Sequence, residues 1–153
     1  MLKIVRTDSE KPDFRTLVSL LDQDLRIRDG DDHAFYAQFN KIINIPHVVV
    51  AYQGQIPVGC GALKKYSPAT AEVKRMFVLP VHRRKGIAGK ILTELEWWAS
   101  ELRYAELILE TGQAQPEAIQ LYQISGYQIM SNYGQYVGVE NSVCFKKALQ
   151  PNK

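Results

Sequence analysis

The feature that most constrains this chain is the run Val81-His82-Arg83-Arg84-Lys85-Gly86-Ile87-Ala88-Gly89-Lys90. Before it, Ala69 to Leu79 has strand chemistry, with β-branched and aromatic residues near its end. After it, Ile87, Ile91, Leu95, Trp98 and Leu102 recur at the spacing of an amphipathic helix. A strand therefore turns into a helix through a basic, glycine-bearing loop. The first backbone N–H groups of a helix have no intrahelical acceptor and point outward. They add to the positive end of the helix dipole, so an anion is stabilised there. Gly86 and Gly89 let the backbone approach a ligand closely, and Arg83, Arg84, Lys85 and Lys90 add positive charge. The loop reads as a seat for a pyrophosphate. A solvated basic turn at a helix start is the other reading these residues allow.

Neither common nucleotide motif fits. A Walker loop requires G-x-x-x-x-G-K-[ST] and a dinucleotide fingerprint G-x-G-x-x-G, and both are absent around Gly86. The rest of the pattern sets the loop in a mixed sheet. Leu2 to Arg6 alternates apolar and charged residues, as a short strand does. Behind Asp13, Phe14, Leu17, Leu20, Leu21 and Leu25 have helical spacing, with Gly30 as a stop. Asp31 or Asp32 can cap a second short helix marked by Phe35, Phe39, Ile42 and Ile43 and ended by Pro46. His47 to Tyr52 and Ile56 to Lys65 are strands joined by the turn Gln53-Gly54-Gln55. Ala105 to Thr111 has the nearly continuous apolar centre of a central parallel strand. Pro116 opens a helix through Ala118, Ile119, Leu121, Tyr122 and Ile124, closed by Gly126. Tyr127 to Met130 and Ser142 to Lys147 are the last strands. The order β-α-α-β-β-β-α-β-α-β-β predicts an α/β fold, with ligands beyond the strand C-termini. At 153 residues one domain is expected.

Composition removes other classes. Cys60 and Cys144 have no pair spacing, which argues against a zinc ribbon or disulfide scaffold and suits a reducing, cytoplasmic compartment. The first ten residues, MLKIVRTDSE, contain no apolar signal region, and no run approaches the roughly 18 apolar residues of a membrane span. A net charge of +3 is too mild to imply nucleic acid. His33, His47 and His82 lack metal-ligand spacing, so no metal is expected.

Two signatures carry a family resemblance. Arg83, Gly86 and Ala88 are similar to the [QR]-x-x-G-x-[GA] acetyl-CoA loop of the GNAT family of N-acetyltransferases, and Glu72 to Val78 resembles that family's fourth strand. About thirty residues on, Ala118-Ile119-Gln120-Leu121-Tyr122 with Gly126-Tyr127 resembles its second signature, A-x-x-[LF]-Y-x-x-x-G-[FY], preceded by the strand Leu107 to Thr111. The match covers Val48 to Tyr127; the first forty or so residues match in pattern alone. The resemblance implies a mixed, mostly antiparallel sheet of about seven strands with helices on both faces, as a single acetyltransferase domain over residues 1–153. It implies an acyl-CoA-dependent enzyme that moves an acetyl group from acetyl-CoA to a primary amine of a small or amino-acid-like acceptor in a direct ternary complex. A non-catalytic acyl-CoA-binding or regulatory module on the same fold is the alternative, and homodimers are common in such families. The donor's pantetheine arm would pair with the main chain around Met76, Phe77 and Val78. Its pyrophosphate would sit on Arg83, Arg84, Lys85, Gly86, Ile87, Ala88, Gly89 and Lys90. Many relatives carry Asn near the start of the next helix; here the run is Thr111-Gly112-Gln113-Ala114-Gln115-Pro116, and Gln115 can take that place.

Acetyl transfer to an amine sets three demands. An amine of pKa about 10.4 must lose a proton. The developing oxyanion needs an N–H donor. A thiolate of pKa about 8.5 leaves more easily when protonated. Tyr122 stands at the family's acid position; by residue type alone it can equally be a core tyrosine with a satisfied hydroxyl. Glu72 is the candidate base, directly or through water. Strict alternation puts Glu72, Lys74 and Met76 on one face and Val73, Arg75 and Phe77 on the other. Glu72 can also be a solvent-exposed edge carboxylate paired with Lys74 or Arg75. The resemblance implies a bulge in this strand and an oxyanion-binding N–H near Phe77 or Val78. Cys60 and Cys144 lie in apolar strand contexts and read as inert thiols, not nucleophiles. The family implies an acceptor pocket walled by the first helices, Arg26 to Phe39, and by Ser131 to Tyr136. Arg26 and Arg28 can clamp an acceptor carboxylate or form a solvated helix end. Tyr133 and Tyr136 are an aromatic wall or a packed loop.

Overall fold

The structure is a computed structural model that describes residues 1–30 and 44–150. The expected second helix, with Asp31, Asp32, Phe35, Phe39, Ile42 and Ile43, lies outside the described residues, as does His33. The described elements are β1 (Leu2–Thr7), α1 (Pro12–Asp29), β2 (His47–Gln53), β3 (Ile56–Ser67), β4 (Thr70–Val78), α2 (Ile87–Glu101), β5 (Glu106–Gly112), α3 (Pro116–Ile124), β6 (Gln128–Met130) and β7 (Ser142–Ala148). The strands form one sheet in the order β1-β2-β3-β4-β5-β7-β6. Every neighbouring pair is antiparallel except β4 and β5.

Side-chain alternation gives the sheet two apolar faces. Val48 and Val50 of β2, with Cys60 and Ala62 of β3, pack on Phe14, Leu17, Val18 and Leu21 of α1. Val49, Ala51 and Val58 face the other way, onto Ile87, Ile91, Leu92 and Leu95 of α2. In α1 the buried set is therefore i, i+3, i+4, i+7 from Phe14, which includes Val18 and turns Leu20 outward at 38% exposure.

Two irregularities in β4 shape the molecule. Its register with β3 runs Lys64↔Glu72, Leu63↔Val73 and Ala62↔Lys74, then resumes at Cys60↔Phe77 and Gly59↔Val78. Arg75 and Met76 together oppose Gly61, which is a β-bulge. Arg75 takes the left-handed conformation, φ 59°. The extra residue inverts the alternation beyond it. Met76 and Val78 join Val73 against α2, while Phe77 packs with α1 and Arg75 reaches Asp22 of α1. The strict alternation expected from sequence, with Met76 beside Glu72 and Lys74, is thus corrected. Gly61 permits the bulge: a Cβ there would lie 2.6 Å from Met76 Sδ and 2.9 Å from Leu95 Cδ1.

The second irregularity is a split. β4 and β5 pair only at Thr70↔Glu106, Ala71↔Leu107 and Glu72↔Ile108. Beyond Glu72, β4 follows β3 to Val78 while β5 follows β7 to Gly112. A wedge opens in the middle of the sheet, at the C-terminal ends of its one parallel pair, where α/β sheets bind ligands.

Candidate active site

The wedge holds a cavity of about 720 Å³, walled by β4 from Glu72 to Val78, the following loop, the end of β5, α3 and the C-terminal part of α1.

On the loop side, Pro80–His82 form a 3-10 turn. Arg84 (φ 64°) and Gly86 (φ 79°) are both left-handed and bring the chain round to α2. Gly86 is the N-cap residue, no side chain caps the helix, and the first backbone bond of the turn is Lys90 N–H to Gly86 O at 3.2 Å. The N–H groups of Ile87, Ala88 and Gly89 are left with no intrahelical acceptor. A Cβ built at Gly86 or Gly89 meets nothing within 4 Å, so space stands open above those donors. Arg84, Lys85 and Lys90 are exposed around it. An uncapped helix start, open space and loose cations fit a diphosphate. Arg83 is partly committed elsewhere. Its Nε donates to Val78 O at 2.8 Å, its guanidinium lies 5.5 Å from the Phe77 ring centroid, and Nη2 is 3.8 Å from Asp24 Oδ2. It pins the loop to the end of β4.

Tyr122 of α3 is buried, its ring 5.8 Å from those of Tyr127 and Phe145. It packs within the α2 layer and lines the cavity. Burial, and secondarily the Glu110 carboxylate, push its phenol well above the ordinary range, so it stays protonated at neutral pH. Gln115, at the N-cap of α3, also lines the cavity.

The opposite face of the wedge is polar and enclosed. Glu72 is 5% exposed on an interior strand, not a solvent-exposed edge carboxylate. Tyr133 donates to its Oε2 at 2.6 Å. Lys74 Nζ lies 3.8 Å from the same oxygen and donates to Tyr136 OH at 3.5 Å. Burial lowers the Lys74 pKa, an effect opposed by Glu72 and Glu110. Burial and the Glu72 charge raise that of Tyr133. Tyr133 stands edge-on to Tyr66 and Tyr136, at 5.4 Å and 5.6 Å. Arg75 Nη2 donates to Asp22 Oδ1 at 2.9 Å. Glu72 and Tyr122 thus approach from opposite faces of the sheet, and the wedge is where those faces communicate.

Sequence reasoning did not single out Glu110 or Asp22, which no local motif marks. Arg26 is exposed. Arg28 is paired to Glu117 of α3 and, through Nε at 3.2 Å, to Asp24, so α1 and α3 meet across the mouth of the wedge. Cys60 is fully enclosed, donates to Arg75 O at 3.3 Å, and is pushed up to about 12 by burial. Cys144, also buried, is pushed up to about 11. Both are held as thiols at neutral pH.

Comparison with known proteins agrees with this geometry. The acetyltransferase (GNAT) domain pattern matches residues 44–129. The chain is 35% identical over 101 residues to the uncharacterized N-acetyltransferase YsnE of Bacillus subtilis, spanning 65% of this chain and 67% of that one. It is 36% identical over 89 residues to an IAA acetyltransferase of Azospirillum brasilense, spanning 58% of each. Among solved structures, a protein from Klebsiella pneumoniae named as an acyl-CoA N-acyltransferase superposes with a TM-score of 0.82 at 27% identity, covering 98% of this chain and 99% of that one. With its two signatures on the elements that wall a split sheet, the chain belongs to the GNAT family of N-acetyltransferases.

Proposed function

We propose that this chain transfers an acetyl group from acetyl-CoA directly to the primary amine of a small or amino-acid-like acceptor, with both substrates in the wedge at once. The observation that carries the reading is that Glu72 and Tyr122 reach one cavity from opposite faces of the sheet, beside an uncapped helix start suited to a diphosphate. Acetyl-CoA supplies the reactive thioester. The chain's own residues supply position and proton control. The backbone of Ile87, Ala88 and Gly89, with Arg84, Lys85 and Lys90, holds the diphosphate. Beyond Glu72, β4 has no β5 partner, so Met76, Phe77 and Val78 offer main-chain groups to an extended pantetheine arm, in the manner of an added strand. A free N–H there would meet the developing oxyanion.

Glu72 takes the proton from the acceptor ammonium, directly or through one water, and the Tyr133 hydrogen bond fixes its orientation. Tyr122 presents its O–H to the departing thiolate. Because burial raises its pKa, Tyr122 keeps its proton and acts as a hydrogen-bond donor to the sulfur; CoA departs as the thiolate, and the proton taken up by Glu72 passes to solvent.

Thiol release from acetyl-CoA across a panel of amines, amino acids and peptides tests the reading. Tyr122→Phe is expected to bind acetyl-CoA as the parent does and to turn over about tenfold or more slowly. Unchanged turnover removes Tyr122 from the chemistry. Tight acetyl-CoA binding with no amine consumed makes the chain a non-catalytic acyl-CoA-binding module.

A further inference from the structure

Arg75 is anomalous in three ways. Its side chain is 3% exposed. It sits on the β4 bulge at φ 59°, a conformation unfavourable for a residue with a Cβ and one that concentrates at functional sites. Among the described residues, its Nε and Nη1 have no hydrogen-bond partner, although both are buried. Within that described set its ion pair runs through Nη2 to Asp22, whose own side chain is 51% exposed. A guanidinium cannot shed its proton to escape this situation. A structural arginine in a protein interior has its N–H groups satisfied. A buried guanidinium with two nitrogens left over, on the wall of a substrate cavity, is what a site for an anionic group looks like before the ligand arrives.

The chemistry of that ligand follows from the neighbours. Guanidinium selects carboxylate or phosphate. The diphosphate seat lies at the start of α2, beyond the end of β4, whereas the Arg75 side chain turns to the α1 face. Glu72 stands on that same face three residues earlier, on the order of 10 Å along the strand. The Lys74 ammonium is attracted by Glu72 and Glu110 and repelled by Arg75, so acidic and basic groups share one local field. A cavity face with carboxylates at one end and a half-satisfied guanidinium at the other suits a small molecule with an ammonium at one pole and a carboxylate at the other. Of the other arginines on this side, Arg28 is engaged by Asp24 and Glu117 and Arg26 is exposed.

We infer that Arg75 binds a carboxylate of the acceptor, so that the preferred acceptors are amines carrying a carboxylate, oriented with nitrogen toward Glu72 and carboxylate toward Arg75. The inference rests on the acetyl-transfer reading and narrows its substrate class.

The test pairs amino acids with the amines left by their decarboxylation. Steady-state constants are measured for the parent chain, Arg75→Met and Arg75→Lys. The parent should favour the carboxylated member of a pair by about tenfold or more in kcat/KM. Arg75→Met should raise KM for that member by about tenfold and leave the decarboxylated amine and acetyl-CoA nearly unaffected, so the preference disappears. Arg75→Lys, which keeps the charge but loses the planar donor array, should recover part of it. Should Arg75→Met fail to fold, the parent chain still answers. The matching carboxylic acid without an amine should inhibit competitively against the acceptor and not against acetyl-CoA. Equal use of both members by the parent, or an equal loss of both in Arg75→Met, overturns the inference, as does absence of that competition. Amines acetylated without regard to their carboxylate defeat this inference alone. A panel in which no amine is acetylated defeats the transfer reading along with it.

Discussion

On the proposed donor side of the wedge, the groups suited to an anion are backbone N–H groups and exposed cations drawn from the ten residues Val81 to Lys90. On the proposed acceptor side, side chains far apart in sequence hold one another, with Glu72, Arg75 and Tyr133 buried among them. Tyr133 meets Glu72 over a separation of 61 residues, and Arg75 meets Asp22 over 53. The first construction depends on backbone conformation and tolerates changes among side chains that share the charge. The second depends on individual polar atoms, because each buried donor or acceptor left without a partner carries its full desolvation cost. Substitutions should therefore fall into two classes: those that decide whether the donor binds, and those that leave donor binding intact and alter turnover or acceptor choice.

The largest effect is expected at Gly86. Its left-handed φ of 79° disfavours any residue with a Cβ, yet no atom stands within 4 Å of where that Cβ would go. Gly86→Ala should lose about 1–2 kcal/mol of stability to strain and still bind acetyl-CoA. Gly86→Glu adds a negative charge inside the seat and should weaken acetyl-CoA binding by about a hundredfold or more, read by calorimetry. Normal binding by Gly86→Glu would break the donor half of the comparison.

Next come the partners of the buried carboxylate. Glu72→Gln should lower kcat by about a hundredfold with KM for acetyl-CoA unchanged. Tyr133→Phe removes only the O–H that orients Glu72, and a loss of about tenfold in kcat is expected. A rise in KM for acetyl-CoA matching the fall in kcat would mean that the two sides of the wedge are not separable.

The same contrast explains what the sequence made legible. The loop from Arg83 to Lys90 and the Tyr122 signature are local, so residue type and spacing disclose them, and the mixed sheet follows from the order of apolar periods around them. The acceptor side is an outcome of folding. The family resemblance implies a bulge in β4 but not its place; it falls at Arg75, so strict alternation puts Met76 and Phe77 on the wrong faces, and the local clue, Gly61 on the partner strand, carries meaning only once the register is known. In sequence Glu72 can be a base facing a cleft or an exposed edge carboxylate, and only β5 and the Tyr133 hydroxyl, distant in the chain, show it enclosed. Leu20 and Val18 of α1 are told apart only by the face the helix turns to the sheet.

The smallest effect lies outside the wedge and separates the pH dependence of stability from that of catalysis. His47, the first residue of β2, stands edge-on to Trp98 of α2 with ring centroids 4.8 Å apart, and burial lowers its pKa from the ordinary value of 6.5. With the folded value below the unfolded one, the unfolded chain takes up the proton first as pH falls. The contribution is therefore fully present above about pH 6.5 and is lost as pH falls toward and through the folded value. The ring is only partly buried, so the change should be modest, about one or two degrees in Tm. His47→Phe keeps a ring against Trp98 without the titrating nitrogen and should flatten Tm over that acid range, while the pH–rate profile, set by groups in the wedge, keeps its shape. A profile that moves with His47→Phe would tie β2 to the acceptor chemistry and dissolve the separation.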